Sequence, residues 1–490
     1  MELAPWLSLV GMVLATVLFV RFVLRRSSSR TYNLPPGPTP WPIIGNLNLI
    51  GPLPPRSIHE LSKCYGPIMT LRMGSFHAVV GASTEMAKFF LKTHDVAFID
   101  RPKTRRQGRK IFLTELFGAK RLESYEYIRR EEVHALLVGL HASSGRVIKL
   151  RDYLSTTTLN VITRMVLGSK VVQEVGPVKS LAQFKWILEE YFFLNGVFNI
   201  GDLIPWLGWL DLQGYVRRMK KVGKMLDQLF KHIVDKHRQR RCREGKVFVA
   251  KDMVDVLLQL ADDPKLAVKL SPDSIKGFTQ DLIVGGTETS SEAIEWAISV
   301  LLKKPEMFAK ATEELDRVIG RDRWVTENDI PSLPYIEAIV KETMRMHLAS
   351  PLLSPRVSRE HTSFGGYDIP AGTRLFVNVW SITRDSTLWD APEEFMPERF
   401  LGSKIDVKGQ DFELLPFGSG RLMCPGYSLA LKVIQVTVAN LLHGFTWRLP
   451  EGMTKEELSM EELYGLSTPR MFPLKVIADP KILTHLYKRE

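Results

Sequence analysis

The sequence predicts a mainly α-helical protein with small β-sheets, standing behind one N-terminal transmembrane helix. Three observations carry that prediction. A charge-free apolar run lies beside the N terminus, a helical repeat of apolar residues continues for about thirty residues after Ser271, and β-like runs are short and few. The chain has 490 residues, 45% apolar and 24% charged. That balance excludes a disordered chain, a collagen and a disulfide scaffold. The three cysteines, Cys64, Cys242 and Cys424, are too few and too odd in number for a disulfide framework and fit a reducing compartment. Lys and Arg total 66 against 54 Asp and Glu, a net charge of +12. The densest basic run, Lys236 to Arg243, reads as a solvated helix end. It lacks the aromatic platforms or metal spacing of a nucleic-acid motif, and no nucleic-acid partner is expected.

Residues 1–24 read as the membrane anchor. Leu3 to Val20 carries no charge, and Phe22-Val23-Leu24 extends it past Arg21, close to the length needed to cross a bilayer. Arg21, Arg25, Arg26 and Arg30 follow the run and only Glu2 precedes it. The positive-inside rule then keeps the bulk of the chain cytosolic, and a cleaved signal peptide would carry its basic residues on the other side. Residues 25–45 form a basic and proline-rich linker. Five prolines between Pro35 and Pro42 cannot be helical, so this is a stiff spacer or a proline-rich ligand. Residues 46–490 form the body of the chain.

Within the body, Ile68 to Val80 reads as a hairpin broken at Gly74. Amphipathic helices are expected near 150–170, 180–195 and 213–240. Ser271-Pro272 is a strong helix start, with a cap serine and proline in the first turn. Apolar residues then recur at helical spacing through Phe278, Leu282, Ile283, Ile294, Ala297 and Leu301, so one helix should run to about Lys304. A short strand is expected at 373–379, and helix again after Cys424.

Three stretches carry chemistry. In Phe417-Gly418-Ser419-Gly420-Arg421-Leu422-Met423-Cys424-Pro425-Gly426 two glycines permit a tight turn and a helix can begin after the cysteine. A thiol near a helix N-terminus is easier to ionise, which suits a metal ligand; the alternative is a buried free cysteine. Gly285-Gly286-Thr287-Glu288-Thr289-Ser290 interrupts the long helix with two consecutive glycines, each costing ~1 kcal/mol against alanine. That opens room beside the backbone, with Glu288 and Thr289 next to the gap, and allows local unwinding. The alternative is a close crossing of two helices. Glu342 and Arg345 share one helical face at three-residue spacing, and Arg399, in Pro397-Glu398-Arg399-Phe400, could join them.

Together these motifs, in this order and with the anchor and the Pro-Pro-Gly-Pro spacer, resemble the cytochromes P450, in particular the plant A-type microsomal monooxygenases. The resemblance spans nearly the whole chain. It implies a P450 fold and haem b with Cys424 as the metal ligand, Phe417 packed nearby, and Arg109 and Arg356 facing the propionates. Thr289 and Glu288 would be catalytic, handling oxygen and protons. Glu342, Arg345 and Arg399 would form a structural network. The substrate pocket would involve Val284, Gly285, Leu352, Leu353, Leu466 and Ser467.

The implied activity is insertion of one oxygen atom from O2 into a small lipophilic plant secondary metabolite, terpenoid or phenolic. NADPH would act indirectly, through NADPH-cytochrome P450 reductase. The protein would be a single-pass protein of the endoplasmic reticulum membrane with its catalytic domain cytosolic. Two departures stand out. Leu422 occupies a position where the family carries arginine, and the connection across residues 103–106 is shorter than in relatives, leaving Arg105 where a tryptophan is usual. They give a rival expectation: a catalytically impaired or truncated P450-like membrane protein lacking part of the distal pocket.

Overall fold

The computed structural model describes residues 6, 10–18, 32–100, 111–170, 180–264, 266 and 269–488. Most of the expected anchor, the 103–106 connection and Arg109 lie outside them. Residues 10–18 are helical with exposed apolar side chains such as Met12 and Leu14. No helix among the described residues is long and apolar enough to cross a membrane.

Helix α1 (Pro54–Tyr65) leads into the hairpin of β1 (Ile68–Met73) and β2 (Phe76–Gly81). They pair antiparallel from Ile68↔Gly81 to Met73↔Phe76, and Gly74 makes the turn at φ +61°. The body continues through α2 (Glu126–Ala142), β3 (Ile148–Lys149), α3 (Leu150–Leu167), α4 (Leu181–Gly196), α5 (Tyr215–Glu244), α6 (Met253–Ala261), α7 (Pro272–Lys303), α8 (Pro305–Val318) and α9 (Pro334–Met346). Then follow β4 (Arg356–Val357), β5 (Thr362–Phe364), β6 (Tyr367–Ile369), β7 (Arg374–Val377), α10 (Tyr427–Gly444), β8 (Phe445–Arg448) and β9 (Lys475–Pro480). The strands form three small sheets, in the orders β1-β2-β7-β4, β3-β9-β8 and β5-β6. The mainly α architecture with minor sheets is as the sequence predicts.

Helix α7 organises the rest. Ser271 caps it by accepting the Ser274 N–H at 3.1 Å, with Pro272 opening the first turn. Its 32 residues extend about 48 Å. The N-terminal half, with Ile275, Leu282, Ile283 and Val284, packs into an apolar cluster shared with α3, α4, α5 and α6. The C-terminal half, with Ile294, Ala297, Ile298 and Leu301, packs into a second cluster with α2, α8, α9 and α10. The stretch from Gly285 to Ser291 lies between the two cores.

That stretch remains α-helical throughout; the expected local unwinding does not occur. The two glycines have different surroundings. A Cβ on Gly286 would stand 2.7 Å from the Ile162 side chain on α3, whereas a Cβ on Gly285 would meet open space. Gly286 therefore serves the helix crossing and Gly285 the opening, so both alternatives hold, one at each residue. Helix α3 tolerates its polar run Thr156-Thr157-Thr158 because each hydroxyl donates to the carbonyl four residues back, at 2.6 to 3.0 Å.

The basic run at 236–243 closes α5. Arg240 pairs with the buried Asp255 of α6, Arg241 with Asp262 at 2.7 Å, and His237 faces Asp252 at 3.2 Å. The run thus ties two helices together rather than lying free in solvent.

The division of labour between the glycines sets an expected outcome. Gly285→Ala should raise stability by up to about 1 kcal/mol, the helix-propensity gain. Gly286→Ala should lower it, an overpacking cost of about 1–3 kcal/mol offsetting the same gain. Denaturant melts of the two variants in one background check this, and the same sign for both would refute it.

Candidate active site

The cysteine loop begins at Phe417 and closes on itself, with the Cys424 N–H donating to the Phe417 carbonyl at 2.9 Å. Gly418 and Gly420 take left-handed φ values of +70° and +68°, open to glycine without strain. Gly420 is doubly required, since a Cβ there would stand 1.9 Å from the Leu91 carbonyl oxygen. The Ser419 hydroxyl donates to the Gly409 carbonyl at 2.5 Å. Cys424 is partly buried and in no disulfide, and α10 starts three residues later at Tyr427. Phe417 packs beside Tyr427, ring centroids 6.2 Å apart.

Arg421 turns away from this site. Its Nε donates to Asp95 at 3.0 Å on the surface, so it does not stand in for an inward arginine, and Leu422 beside it is half-buried. Arg356, in β4, is buried and reaches the loop: its Nη2 donates to the Ser419 carbonyl at 3.4 Å. A chain of aromatic rings, Phe117, Phe112 and Phe278, leads toward α7, with centroid spacings of 6.2 and 5.2 Å.

On α7 the open position is Gly285, and Thr289 lies one turn further on. The Thr289 hydroxyl donates to the Gly285 carbonyl at 3.0 Å. Burial, with the charge of Glu189 nearby, pushes the Glu288 carboxyl above its ordinary range, against the pull of Arg151 and Lys185. Among the expected pocket residues, Leu466 is exposed. Val284 and Leu352 are buried in apolar clusters, and Ser467 is buried with its hydroxyl donating to Glu292 of α7 at 2.7 Å. Leu353 adopts a left-handed backbone, φ +51°, with its side chain partly buried against the β-sheet core. For a residue with a Cβ that conformation costs about 1–2 kcal/mol, the kind of strain that collects at functional sites.

Glu342, Arg345 and Arg399 lie together. Glu342 and Arg345 are fully buried and doubly bonded, at 2.7 and 2.8 Å. Arg399 Nε reaches Glu342 at 3.1 Å, and the Met396 N–H donates to the same carboxylate at 2.8 Å. Arg345 also donates to the carbonyls of Thr383 and Pro392, both at 2.7 Å, and of Glu394 at 3.0 Å. The network fastens α9 to the irregular segment preceding the cysteine loop.

A family profile for cytochrome P450 matches residues 35–474. The chain belongs to the cytochrome P450 family. It is 47% identical to the trimethyltridecatetraene synthase of Zea mays, covering 97% of this chain and 95% of the relative. It is 45% identical to the dimethylnonatriene synthase of Zea mays, over 99% of each. It is also 40% identical to the flavonoid 3'-monooxygenase of Petunia hybrida, over 98% of this chain and all of that one. Among solved structures, a zebra fish cytochrome P450 with abiraterone superposes with a TM-score of 0.72, at 25% identity, over 88% of this chain and 100% of that one. The first of these alignments runs over 525 positions, more than this chain has residues, so the relative carries segments that this P450 lacks.

As a P450 the chain is a monooxygenase, its cofactor is haem b, and NADPH acts through a reductase. The residues present fit that cofactor. A thiol outside any disulfide stands in a loop shaped by glycine, a buried guanidinium reaches the same loop, and an acid and an alcohol flank a side-chain-free position on α7. Sequence reasoning missed the strain at Leu353 and the burial of Glu292 on α7. The second had a signal: Glu292 follows Gly285 by seven residues, which returns it to the same helix face.

Removing one partner of a buried ion pair leaves the other charge stranded. Glu342→Ala should therefore cost about 3–5 kcal/mol of stability. Arg399→Ala should cost less, about 1.5–3 kcal/mol, because Glu342 keeps Arg345 and the Met396 N–H. Chemical denaturation checks the order, and equal losses would contradict it.

Proposed function

We propose that this P450 is a haem-thiolate monooxygenase that inserts one oxygen atom from O2 into a small lipophilic plant secondary metabolite of the terpenoid class. The half-buried Cys424 in its closed loop carries the haem-thiolate reading. The substrate class draws support from relatives at 47% and 45% identity named for making methyl-branched polyenes, which stand above the flavonoid enzyme at 40%. Cys424 would hold the iron, Phe417 would pack beside the haem, and Arg356, with Arg109, would meet propionates. When bound, the haem supplies oxygen activation, which thiolate ligation favours.

The chain's own residues provide positioning and protons. Gly285 leaves space beside the backbone. Thr289, already hydrogen-bonded at Oγ1, presents a hydroxyl at that space. Glu288, whose burial raises its affinity for protons, can take one up and give it to that hydroxyl. Leu352 and Leu353 bring apolar surface to the β4 side and Leu466 to the C-terminal loop.

Residues 1–24 would anchor the protein in the endoplasmic reticulum membrane with residues 46–490 cytosolic, where NADPH-cytochrome P450 reductase would deliver electrons. The apolar run Leu3–Val20 and the arginines after it support this. A second reading, an impaired enzyme, is favoured by Arg421 turning outward to Asp95 beside Leu422. Each missing arginine–propionate bond is worth about 1.5–3 kcal/mol. Haem retention by Leu422→Arg against the natural chain separates the two readings: a marked gain supports impairment, and no change removes it.

The full-length protein, reduced and exposed to CO, should show the strongly red-shifted Soret band of thiolate-ligated haem, and Cys424→Ala should abolish it. Thr289→Ala should divert reductant to peroxide, and Glu288→Gln should slow turnover. A well-folded, haem-loaded protein without the shifted band would end the haem-thiolate reading.

A further inference from the structure

One turn beyond Glu288, on the same face of α7, stands a carboxyl that the haem site does not account for. Glu292 is buried, 6% exposed. Its Oε1 accepts the Ser467 hydroxyl at 2.7 Å, and its Oε2 is buried with no hydrogen-bond partner. The cation that acts on it, Arg151 of α3, is committed elsewhere: it gives its guanidinium to Glu295, at 2.8 and 2.7 Å, and to the Arg470 carbonyl at 2.9 Å. An ionised carboxylate with one oxygen bare in such a site is heavily penalised. A protonated one is not, and its Oε2 then carries a hydrogen to donate. Burial accordingly pushes Glu292 up to about 8 while the Ser467 bond pulls the other way. The charged groups facing it are Glu288 and Glu295 on its own helix, which raise it, and Arg151, which lowers it.

We propose that Glu292 is a proton-holding residue behind Glu288, acting through Glu288 rather than on the reacting atoms. The inference rests on the reading of Glu288 and Thr289 as the proton-handling pair. Residues four apart on a helix bring their Cβ atoms to about 5–6 Å, within reach of two carboxyl side chains. The transfer balances: the O–H bond at Glu292 Oε2 breaks, an O–H bond forms on the Glu288 carboxylate, and Glu292 takes its next proton from water. Ser467 fixes the group through Oε1, which leaves Oε2 free to donate. It also explains why a serine in the C-terminal loop, 175 residues away, is buried against α7.

The test uses the full-length haem-loaded enzyme reconstituted with reductase, reading product formed per NADPH oxidised from about pH 6 to about pH 9. Coupling in the natural chain should fall as pH rises through about 8, where Glu292 loses its proton. Ser467→Ala removes a bond that favours the charged form, so it should move that fall to higher pH. Glu292→Gln keeps the shape and an acceptor for Ser467 but has no acid proton. It should lower coupling several-fold at every pH and abolish the alkaline fall. A Glu292→Gln enzyme with natural coupling and an unmoved alkaline limb overturns the proposal, as does an unmoved limb in Ser467→Ala. If Thr289→Ala and Glu288→Gln couple normally, the underlying pair is wrong and this role falls with it. If those two uncouple while Glu292→Gln does not, only the role of Glu292 falls. Infrared titration supplies a reading that needs no Gln variant. A buried carboxylic-acid C=O band should persist at neutral pH and titrate higher in Ser467→Ala, and absence of such a band overturns the proposal.

Discussion

One helix must be packed hard on one side and left open on another, and the molecule is arranged around that demand. Helix α7 bridges two apolar cores. At the crossing with α3 it comes so close that only hydrogen fits at Gly286, with Ile162 filling the space. One residue earlier, at about 100° around the axis, Gly285 has nothing against it. The missing side chain at Gly285 leaves a gap that neither neighbouring core fills. The acid and alcohol of the site, Glu288 and Thr289, lie in the turn that follows this gap.

The buried trio of Glu342, Arg345 and Arg399 serves a different end of the site. A buried ion pair adds little net stability over apolar packing, but it fixes geometry. Here one carboxylate and one guanidinium collect carbonyls and an N–H from residues 383 to 396, a stretch with little regular structure of its own. The cysteine loop, from Phe417, lies further along the same chain, beyond the short turn Pro397–Phe400. Arg384 joins the arrangement through the Arg345 and Met346 carbonyls, at 3.0 and 2.7 Å.

Much of this was legible in the sequence where the determinants are local. The cap at Ser271, the turn at Gly74, the glycines of the cysteine loop and the three-residue spacing of Glu342 and Arg345 each depend on neighbours within a few positions. The sequence also offered both explanations of the Gly285-Gly286 pair, but it could not divide them, because the division depends on which side Ile162 approaches from. Glu292 was legible only in its place on the Gly285 face of the helix; its burial was not. A glutamate in a helix reads as a surface residue until Ser467 and its loop are folded over it. The left-handed backbone at Leu353 has no sequence signal, since leucine there works against its own preference. The outward turn of Arg421 depends on Asp95, more than three hundred residues earlier.

Two of the contacts that complete the fold join its beginning to its end: β2 pairs in parallel with β7 from Ala78↔Arg374, and Gly420 seats on the Leu91 carbonyl. A ribosome reaches residue 374 roughly 15–60 s after residue 78, at about 5–20 residues per second. Throughout that interval β2 has its antiparallel partner β1 but presents an unsatisfied outer edge to the cell, the sort of edge that recruits other extended chains. The wait is built into the connectivity of the fold. It makes the growing chain, more than the finished one, the form in need of protection.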